Sequence, residues 1–364
     1  MRISFVQAGF GAGGAEKVVS MLAHHYRQRG DSVEVIALNE PSGATYFDYD
    51  PAISVVGLAA PQDGSRSRPR RLFDPVAKTL ALRHRFAVTR PDIVLSFLTK
   101  VNIVTALAAA RLAIPVVMSE RNNFVVQPMH PAWRAMRSLA QARSARLVMQ
   151  TQAAREALPR HLRRKASVIP NPVAPAPLTA TKDDPSHVIA VGRLDRQKGF
   201  DRLLDAFAIV HAAMPDARLT IFGEGQERAA LERQITTLGL ESRVVLPGVT
   251  HGPQDWISAG GIFVLSSRYE GFPNVLLEAL AAGLPLVATA CPWGPSEILA
   301  DVADIALAQP DEPEDLAAKL LHLSRNDGAR ARLRAIGPVI AERYLSAAVF
   351  AKWDAVIDGV TGSA

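Results

Sequence analysis

Two carboxylates in the second half of the chain have a spacing suited to binding a phosphorylated sugar. Glu270 and Glu278 stand eight positions apart. Residues 261–267 predict a buried strand that ends in two serines, and a helix is expected from about Asn274 until Gly283 stops it. Glu270 would therefore lie in the loop after the strand, and Glu278 about one turn inside the helix. The amides at a helix start favour phosphate, and carboxylates accept hydrogen bonds from hydroxyls, so the spacing predicts a nucleotide-sugar site.

A second element in the same half supplies positive charge. Residues 188–191 predict a strand, followed by a tight turn and a helix over 200–211. Arg193 and Lys198 stand at the carboxyl end of that strand, where open α/β sheets bind ligands. Arginine binds two phosphate oxygens at once, and lysine acts as a mobile point charge. Losing both would cost roughly two to four powers of ten in binding.

The order of these motifs resembles the retaining glycosyltransferases of family 4, which have the GT-B fold. The resemblance covers nearly the whole chain, and the Glu-x7-Glu spacing after Gly-Arg-Leu-x4-Lys-Gly is highly specific. The residues that carry it are Gly192-Arg193-Leu194 with Lys198-Gly199, Phe222-Gly223-Glu224-Gly225, Leu246-Pro247-Gly248, Tyr269 to Asn274, Glu278, and Cys291 to Ile298. The sequence around Glu270 is similar to that of a bacterial subgroup. Members of this subgroup add hexose or N-acetylhexosamine from UDP-sugars to polyprenyl-diphosphate-linked or lipopolysaccharide oligosaccharides.

The resemblance implies a role for each motif. Glu278 would bind the ribose hydroxyls of the donor, and Glu270 a hydroxyl of the donor sugar. Arg193 and Lys198 would stabilise the charge that develops on the departing diphosphate. No metal or other cofactor is expected, because these two cations neutralise the diphosphate. Further donor-binding residues are expected at Gly223, Val249, Gly271, Phe272, Pro273 and Asn274.

The first half departs from the family pattern. Many members carry a histidine after the fourth strand on the side of the first domain that faces the cleft. Here the region runs Ser119-Glu120-Arg121-Asn122-Asn123-Phe124, without a histidine. Either Glu120 or Arg121 takes that role, or the sugar is held differently.

A glycine-rich loop follows the first predicted strand. Residues 9–14 satisfy the Gly-x-Gly-x-x-Gly fingerprint of dinucleotide-binding proteins, and Glu40 is a late candidate for the acid that this fingerprint requires. An NAD-binding oxidoreductase is therefore an alternative. In a chain with this second half, we instead expect Gly11, Gly13 and Gly14 to face the inter-domain cleft, near the donor diphosphate or the acceptor. Asp48 and Asp50 mimic a metal-binding Asp-x-Asp motif, but they are expected in a polar turn.

The predicted architecture is two α/β halves with parallel sheets, the two Rossmann-like domains of a GT-B fold. Strands and helices alternate through both halves, and four prolines within 170–177 predict a linker. We expect an acceptor-binding domain over 1–172 and a nucleotide-sugar-binding domain over 173–345, and the resemblance implies a helix within 346–364 that crosses back to the first domain. A UDP-sugar epimerase and a non-catalytic sugar-nucleotide-binding protein remain open alternatives.

Charge is divided unequally between the halves. Residues 1–172 contain 24 Lys and Arg against 11 Asp and Glu, a net charge of +13, whereas residues 173–364 carry −7. Such a division predicts that the first half meets an anionic surface, through clusters within Arg66–Arg71 and Arg160–Lys165. With no signal peptide or spanning helix expected and one cysteine, the sequence predicts a cytoplasmic protein, peripheral on the cytoplasmic face of the inner membrane, with no nucleic-acid partner.

Overall fold

The chain divides into two compact units, which are described here separately. A computed structural model describes residues 1–59, 68–174, 183–250 and 252–362, without the side chains of residues 68–73. The first unit contains Met1–Asn171 and Val349–Ala364, and the second contains Pro172–Ala348. The division after Asn171 falls inside the proline-rich segment.

The first unit is built on a seven-stranded parallel sheet in the order β3-β2-β1-β4-β5-β6-β7. Its elements are β1 (Arg2–Gln7), α1 (Gly14–Gln28), β2 (Ser32–Ala37), β3 (Ser54–Gly57), α2 (Arg68–Thr89), β4 (Ile93–Phe97), α3 (Thr99–Ala109), β5 (Val116–Ser119), α4 (Pro131–Arg143), β6 (Arg146–Met149), α5 (Gln152–Glu156), α6 (Arg160–Arg163) and β7 (Ala166–Val168). The central strands β1 and β4 are apolar runs buried on both faces, as parallel sheets covered by helices require.

The second unit contains a six-stranded parallel sheet in the order β10-β9-β8-β11-β12-β13. Its elements are β8 (His187–Val191), a 3-10 turn (Arg196–Lys198), α7 (Phe200–Ala213), β9 (Arg218–Phe222), α8 (Arg228–Thr237), β10 (Val244–Gly248), α9 (Pro253–Ile257), β11 (Ile262–Leu265), α10 (Asn274–Ala281), β12 (Leu286–Thr289), α11 (Pro295–Ile298), a 3-10 turn (Ala300–Val302), α12 (Ala303–Ala306), β13 (Leu307–Ala308), α13 (Pro313–Arg325) and α14 (Asp327–Glu342).

The last helix, α15 (Ser346–Thr361), begins in the second unit and continues into the first. The side chain of Trp353, in α15, is fully buried in the core of the first unit, and its ring lies 5.8 Å from that of Phe97. At its other end, Ser346 donates to the backbone oxygen of Val173 at 3.2 Å within the second unit. The helix therefore contributes apolar surface to the first core while its start stays tied to the second.

The apolar pattern of the sequence does not indicate two of the strands. Strand β3 is a half-buried edge strand, and β13 has only two residues, so neither has a long buried apolar run. Of the two predicted basic clusters, Arg66 and the side chains of Arg68, Arg70 and Arg71 lie outside the described residues.

Candidate functional site

Two of the predicted site residues, Lys198 and Glu270, lie at the point in the second sheet where the strand order reverses. Strands β8 and β11 are parallel neighbours, with Ile262 opposite Val188. From β8 the chain builds β9 and β10 on one side, and from β11 it builds β12 and β13 on the other. Open α/β sheets bind their ligands outside the carboxyl ends of the strands at such a switch point. Lys198 follows β8 and Glu270 follows β11, so both lie at this edge.

Lys198 and Glu270 form an ion pair at the switch point. Lys198 Nζ lies 2.7 Å from Glu270 Oε1, and the same oxygen accepts a hydrogen bond from Ser267 Oγ at 2.6 Å. The pair is well shielded, because the side chains are 14% and 5% exposed. Sequence reasoning placed both residues at strand ends but did not predict this direct contact. Ser267 was missed as a partner, although the two serines that directly follow β11 were its signal.

The backbone around Lys198 is shaped to approach β11 closely. Asp195 caps the 3-10 turn by accepting from the amide of Lys198 at 3.2 Å. Gly199 then adopts a φ of +64°, and a Cβ there would lie 2.2 Å from the backbone oxygen of Ser266. Ser266 Oγ also donates to the backbone oxygen of Lys198 at 2.9 Å. Glycine is therefore required after Lys198 for the two loops to meet.

The loop after Glu270 leads directly into α10. Gly271, Phe272 and Pro273 are buried, and the ring of Phe272 lies 5.7 Å from that of Tyr344. Pro273 is the N-cap of α10, so Asn274 begins the helix, and Glu278 lies half-buried one turn further on. The side chains of Phe272 and Pro273 thus anchor the loop, which leaves backbone groups at the helix start as its contribution to an anion site.

The loops after β8 and β9 pack against each other. Gly223 has a φ of +141°, and a Cβ there would lie 1.8 Å from the backbone oxygen of Gly192. Arg193, next in the chain, has a side chain that is 75% exposed, with Nη2 3.2 Å from a carboxylate oxygen of Asp195. Such exposed pairs contribute little energy, so Arg193 can exchange this partner for a phosphate at small cost. Val249, beyond β10, is also exposed.

The glycine-rich loop of the first unit lies after β1, at the switch point between β1 and β4. Gly11 and Gly14 are exposed and Gly13 is half-buried at the start of α1. Glu40, the acid considered for a dinucleotide site, accepts a hydrogen bond from the amide of Phe10 at 2.7 Å. This carboxylate therefore helps to hold the loop.

Glu120 and Arg121 both lie inside the first unit. Glu120 accepts hydrogen bonds from Thr99 at 2.6 Å and Gln141 at 3.2 Å, and burial raises the pKa of its carboxyl. The Arg121 guanidinium donates to Asn171 and lies over the rings of Phe97, at 4.9 Å, and Trp353, at 5.7 Å. Burial lowers the pKa of Arg121 to about 9. The contacts observed for both residues are internal to the unit, and a role toward the sugar stays a prediction.

The Asp48–Asp50 segment forms a turn. Asp50 Oδ1 accepts from the amide of Ala52 at 2.8 Å, the bond by which aspartate closes such a turn. Over the described parts of the chain, no group of three or more His, Cys, Asp or Glu side chains could hold a metal ion. Across the same residues, no helix has both the length and the apolar character needed to cross a membrane.

Comparisons with known proteins match each unit to a glycosyltransferase family model. Residues 185–326 match the model "Glycosyl transferases group 1", and residues 12–176 match "Glycosyltransferase Family 4". The chain is 27% identical over 302 residues to the amylovoran biosynthesis glycosyltransferase AmsD of Erwinia amylovora, an alignment that spans 80% of this chain and 81% of AmsD. It is 31% identical over 175 residues to the uncharacterized glycosyltransferase MJ1059 of Methanocaldococcus jannaschii, which spans 44% of this chain and 43% of that protein.

Solved structures share the complete two-unit architecture. The Anabaena protein Alr3699/HepE, solved in complex with UDP, superposes with a TM-score of 0.76 at 20% identity and covers 100% of both chains. At this identity the likeness concerns the fold. Two parallel-sheet α/β units, each matched by a glycosyltransferase family model, make the chain a glycosyltransferase of the GT-B fold.

Proposed function

We propose that the chain transfers a hexose or N-acetylhexosamine from a UDP-sugar, with retention of anomeric configuration, to a polyprenyl-diphosphate-linked or lipopolysaccharide oligosaccharide. The observation that carries the proposal is the shielded Lys198–Glu270 pair at the switch point of the second unit. A cation and a carboxylate side by side suit a ligand in which a diphosphate adjoins a sugar.

Each part of the donor has a counterpart among these residues. Glu278 would accept hydrogen bonds from the ribose, and Glu270 from a hydroxyl of the transferred sugar. The diphosphate would lie between Lys198, the exposed Arg193 and the start of α10. The structural likeness to Alr3699/HepE, which was solved in complex with UDP, supports a uracil base.

The pairing of Glu270 favours a front-side reaction over a double displacement. A carboxylate can act as a nucleophile. However, Glu270 Oε1 already accepts bonds from Lys198 and Ser267, which lower the electron density available for attack. In the front-side route, the acceptor oxygen bonds to the anomeric carbon on the face from which the diphosphate departs. Lys198 and Arg193 stabilise the charge on the diphosphate, so the reaction requires no metal ion.

Features of the first unit support the proposed glycan acceptor and a surface that docks on the membrane. AmsD, by its name, acts in amylovoran biosynthesis. Residues 121–155 of this chain contain no Asp or Glu but six Arg. Within this segment, Phe124, Val125, Arg134 and Arg137 line a pocket of about 350 Å³ that Pro159 completes. Apolar walls with arginines suit an anionic lipid surface, to which each nearby cation contributes about 1 kcal/mol.

The described part of the second basic cluster adds exposed charge beside this pocket. Arg160, which follows Pro159, and Arg164 are exposed, whereas Lys165 donates to two backbone oxygens of the same unit at 2.8 and 2.9 Å. Arg160 and Arg164 are therefore the members available to lipid headgroups. We propose docking on the cytoplasmic face of the inner membrane through this surface.

A transfer assay tests the proposed activity. UDP-glucose, UDP-galactose and their N-acetyl forms, with GDP-mannose as a base control, are incubated with a polyprenyl-diphosphate sugar. We expect one UDP-sugar to give a product that is heavier by one sugar residue, with the donor's anomeric configuration by NMR. Product with inverted configuration would contradict retention. Interconversion of donors without transfer would indicate an epimerase, and hydride exchange with NAD an oxidoreductase.

Vesicle flotation tests membrane docking separately. The protein should float with vesicles containing anionic phosphatidylglycerol at low salt and dissociate from them at high salt. The variant Arg134→Glu/Arg160→Glu should stay at the bottom of the gradient, whereas the control Arg332→Glu, exposed on the second unit, should float. Binding that ignores lipid charge, or that persists in the double variant, would exclude this surface.

A further inference from the structure

The two loops that carry Lys198 and Glu270 are joined by a second ion pair outside the proposed donor contacts. Arg268 lies two residues before Glu270, and Asp201 lies three residues after Lys198. We propose that Arg268 is a positioning residue, which acts through Asp201 to hold Lys198 against Glu270. The inference rests on the proposed function for its effect on turnover but on the structure alone for its effect on the loops.

The Arg268–Asp201 ion pair has the geometry of a strong contact. Arg268 Nη1 and Nη2 lie 2.6 and 2.5 Å from the two oxygens of Asp201, the bidentate arrangement that fixes both groups. Nη1 also donates to the backbone oxygen of Arg196 at 3.0 Å. The hydrogen bonds to Asp201 raise the pKa of Arg268. Although burial opposes it, the guanidinium keeps the pKa of Asp201 below its ordinary value.

Backbone contacts extend this connection along both loops. The amide of Arg268 donates to the backbone oxygen of Gln197 at 2.8 Å, and Gln197 Nε2 donates to the backbone oxygen of Tyr269 at 3.1 Å. Gln197 directly precedes Lys198 in the chain, and Tyr269 directly precedes Glu270. Because lysine has a long flexible side chain, the position of its Nζ depends on how firmly its backbone is held. The Arg268–Asp201 ion pair supplies that anchor.

Cys291 provides a readout of these loops that requires no substrate. It is the single cysteine of the chain and is 1% exposed. Burial, and then the negative charge of Glu270, raise the pKa of its thiol to about 12. The amide of Glu270 donates to the backbone oxygen of Pro292, the next residue, at 3.2 Å. Displacement of the Glu270 loop should therefore uncover this thiol.

The test measures iodoacetamide labelling of Cys291 in the full-length chain. In Arg268→Lys, which cannot form the bidentate pair, we expect labelling at least tenfold faster than in the wild type. Cys291 in Asp201→Asn should also label at least tenfold faster than in the wild type. In the double variant Asp201→Asn/Arg268→Lys, labelling should be no faster than in the faster single variant. Arg218→Lys is the matched control, because Arg218 pairs with Asp184 at the opposite, amino end of the sheet. This control should label at the wild-type rate.

Turnover is then measured with the donor that the transfer assay identifies. We expect kcat to fall at least tenfold in Arg268→Lys while the affinity for UDP changes less than threefold. Labelling at the wild-type rate in both single variants would overturn the inference, whichever donor is used. Faster labelling with unchanged kcat, or equal losses of kcat and UDP affinity, would overturn the positioning role. Absence of transfer by the wild type would instead contradict the proposed function and leave the labelling result standing.

Discussion

Replacing Lys198 with methionine should lower both the stability and the turnover of the protein, for different reasons. The substitution leaves the Glu270 carboxylate, 4% exposed, with Ser267 as its remaining described side-chain partner. Breaking a buried ion pair typically costs 3–5 kcal/mol of unfolding free energy. Since the Lys198 side chain is 14% exposed, we expect the lower end, about 3 kcal/mol. Loss of one charge-assisted contact to the diphosphate, about 1.5–3 kcal/mol, should lower kcat/KM about 10- to 150-fold.

The double variant Lys198→Met/Glu270→Gln separates the two effects. A neutral amide is far less costly to bury than an unpaired carboxylate, so the double variant should recover about 2 kcal/mol of the lost stability. Its turnover should remain low, because neither cation nor carboxylate is restored. Urea unfolding followed by circular dichroism and a UDP-release assay measure the two quantities. Wild-type stability of Lys198→Met, or a double variant no more stable than it, would refute the ion-pair reasoning.

Other predictions concern the same edge of the sheet. Glu278→Ala should fold normally, but its kcat/KM in the UDP-release assay should fall at least tenfold, because one strong hydrogen bond to the donor is lost. Wild-type kinetics in this variant would show that Glu278 does not bind the donor. With EDTA, the transfer rate should stay within twofold of the rate without it. A loss of activity that Mg²⁺ or Mn²⁺ restores would contradict the metal-independent route. Because a thiol with a pKa of about 12 is almost entirely protonated at pH 8, Cys291 should react about 10³-fold more slowly with iodoacetamide than a free thiol and faster as pH rises. The free energy of unfolding of Gly223→Ala, measured with urea, should be lower than that of the wild type by more than about 1 kcal/mol, since the new Cβ would overlap Gly192.

The sequence was informative where function rests on local patterns. Conformational preferences of neighbouring residues predict the glycine at 199, the strand ends near Lys198 and Glu270, and the helix start at Asn274. The Lys198–Glu270 contact spans 72 positions and depends on which strands are neighbours, which the pattern of apolar residues does not specify. The Arg268–Asp201 ion pair was missed for the same reason.

Burial of polar residues was the other feature that the sequence did not indicate. Glu120 and Arg121 were considered for the sugar because they stand in the region where many members of the resembling family carry a histidine. In the structure, Glu120 is buried and accepts hydrogen bonds from Thr99 and Gln141, and the buried Arg121 guanidinium lies over the rings of Phe97 and Trp353. Trp353 comes from α15, more than 200 positions away, so no local pattern predicts that environment.

The measurement that most directly tests the central claim is calorimetric titration of the protein with UDP and NAD. We expect UDP to bind the wild type at one site, Glu278→Ala to weaken this binding at least tenfold, and NAD not to bind. Binding of NAD without UDP, or UDP affinity unchanged in both Glu278→Ala and Lys198→Met, would contradict a nucleotide-sugar site at the switch point of the second unit.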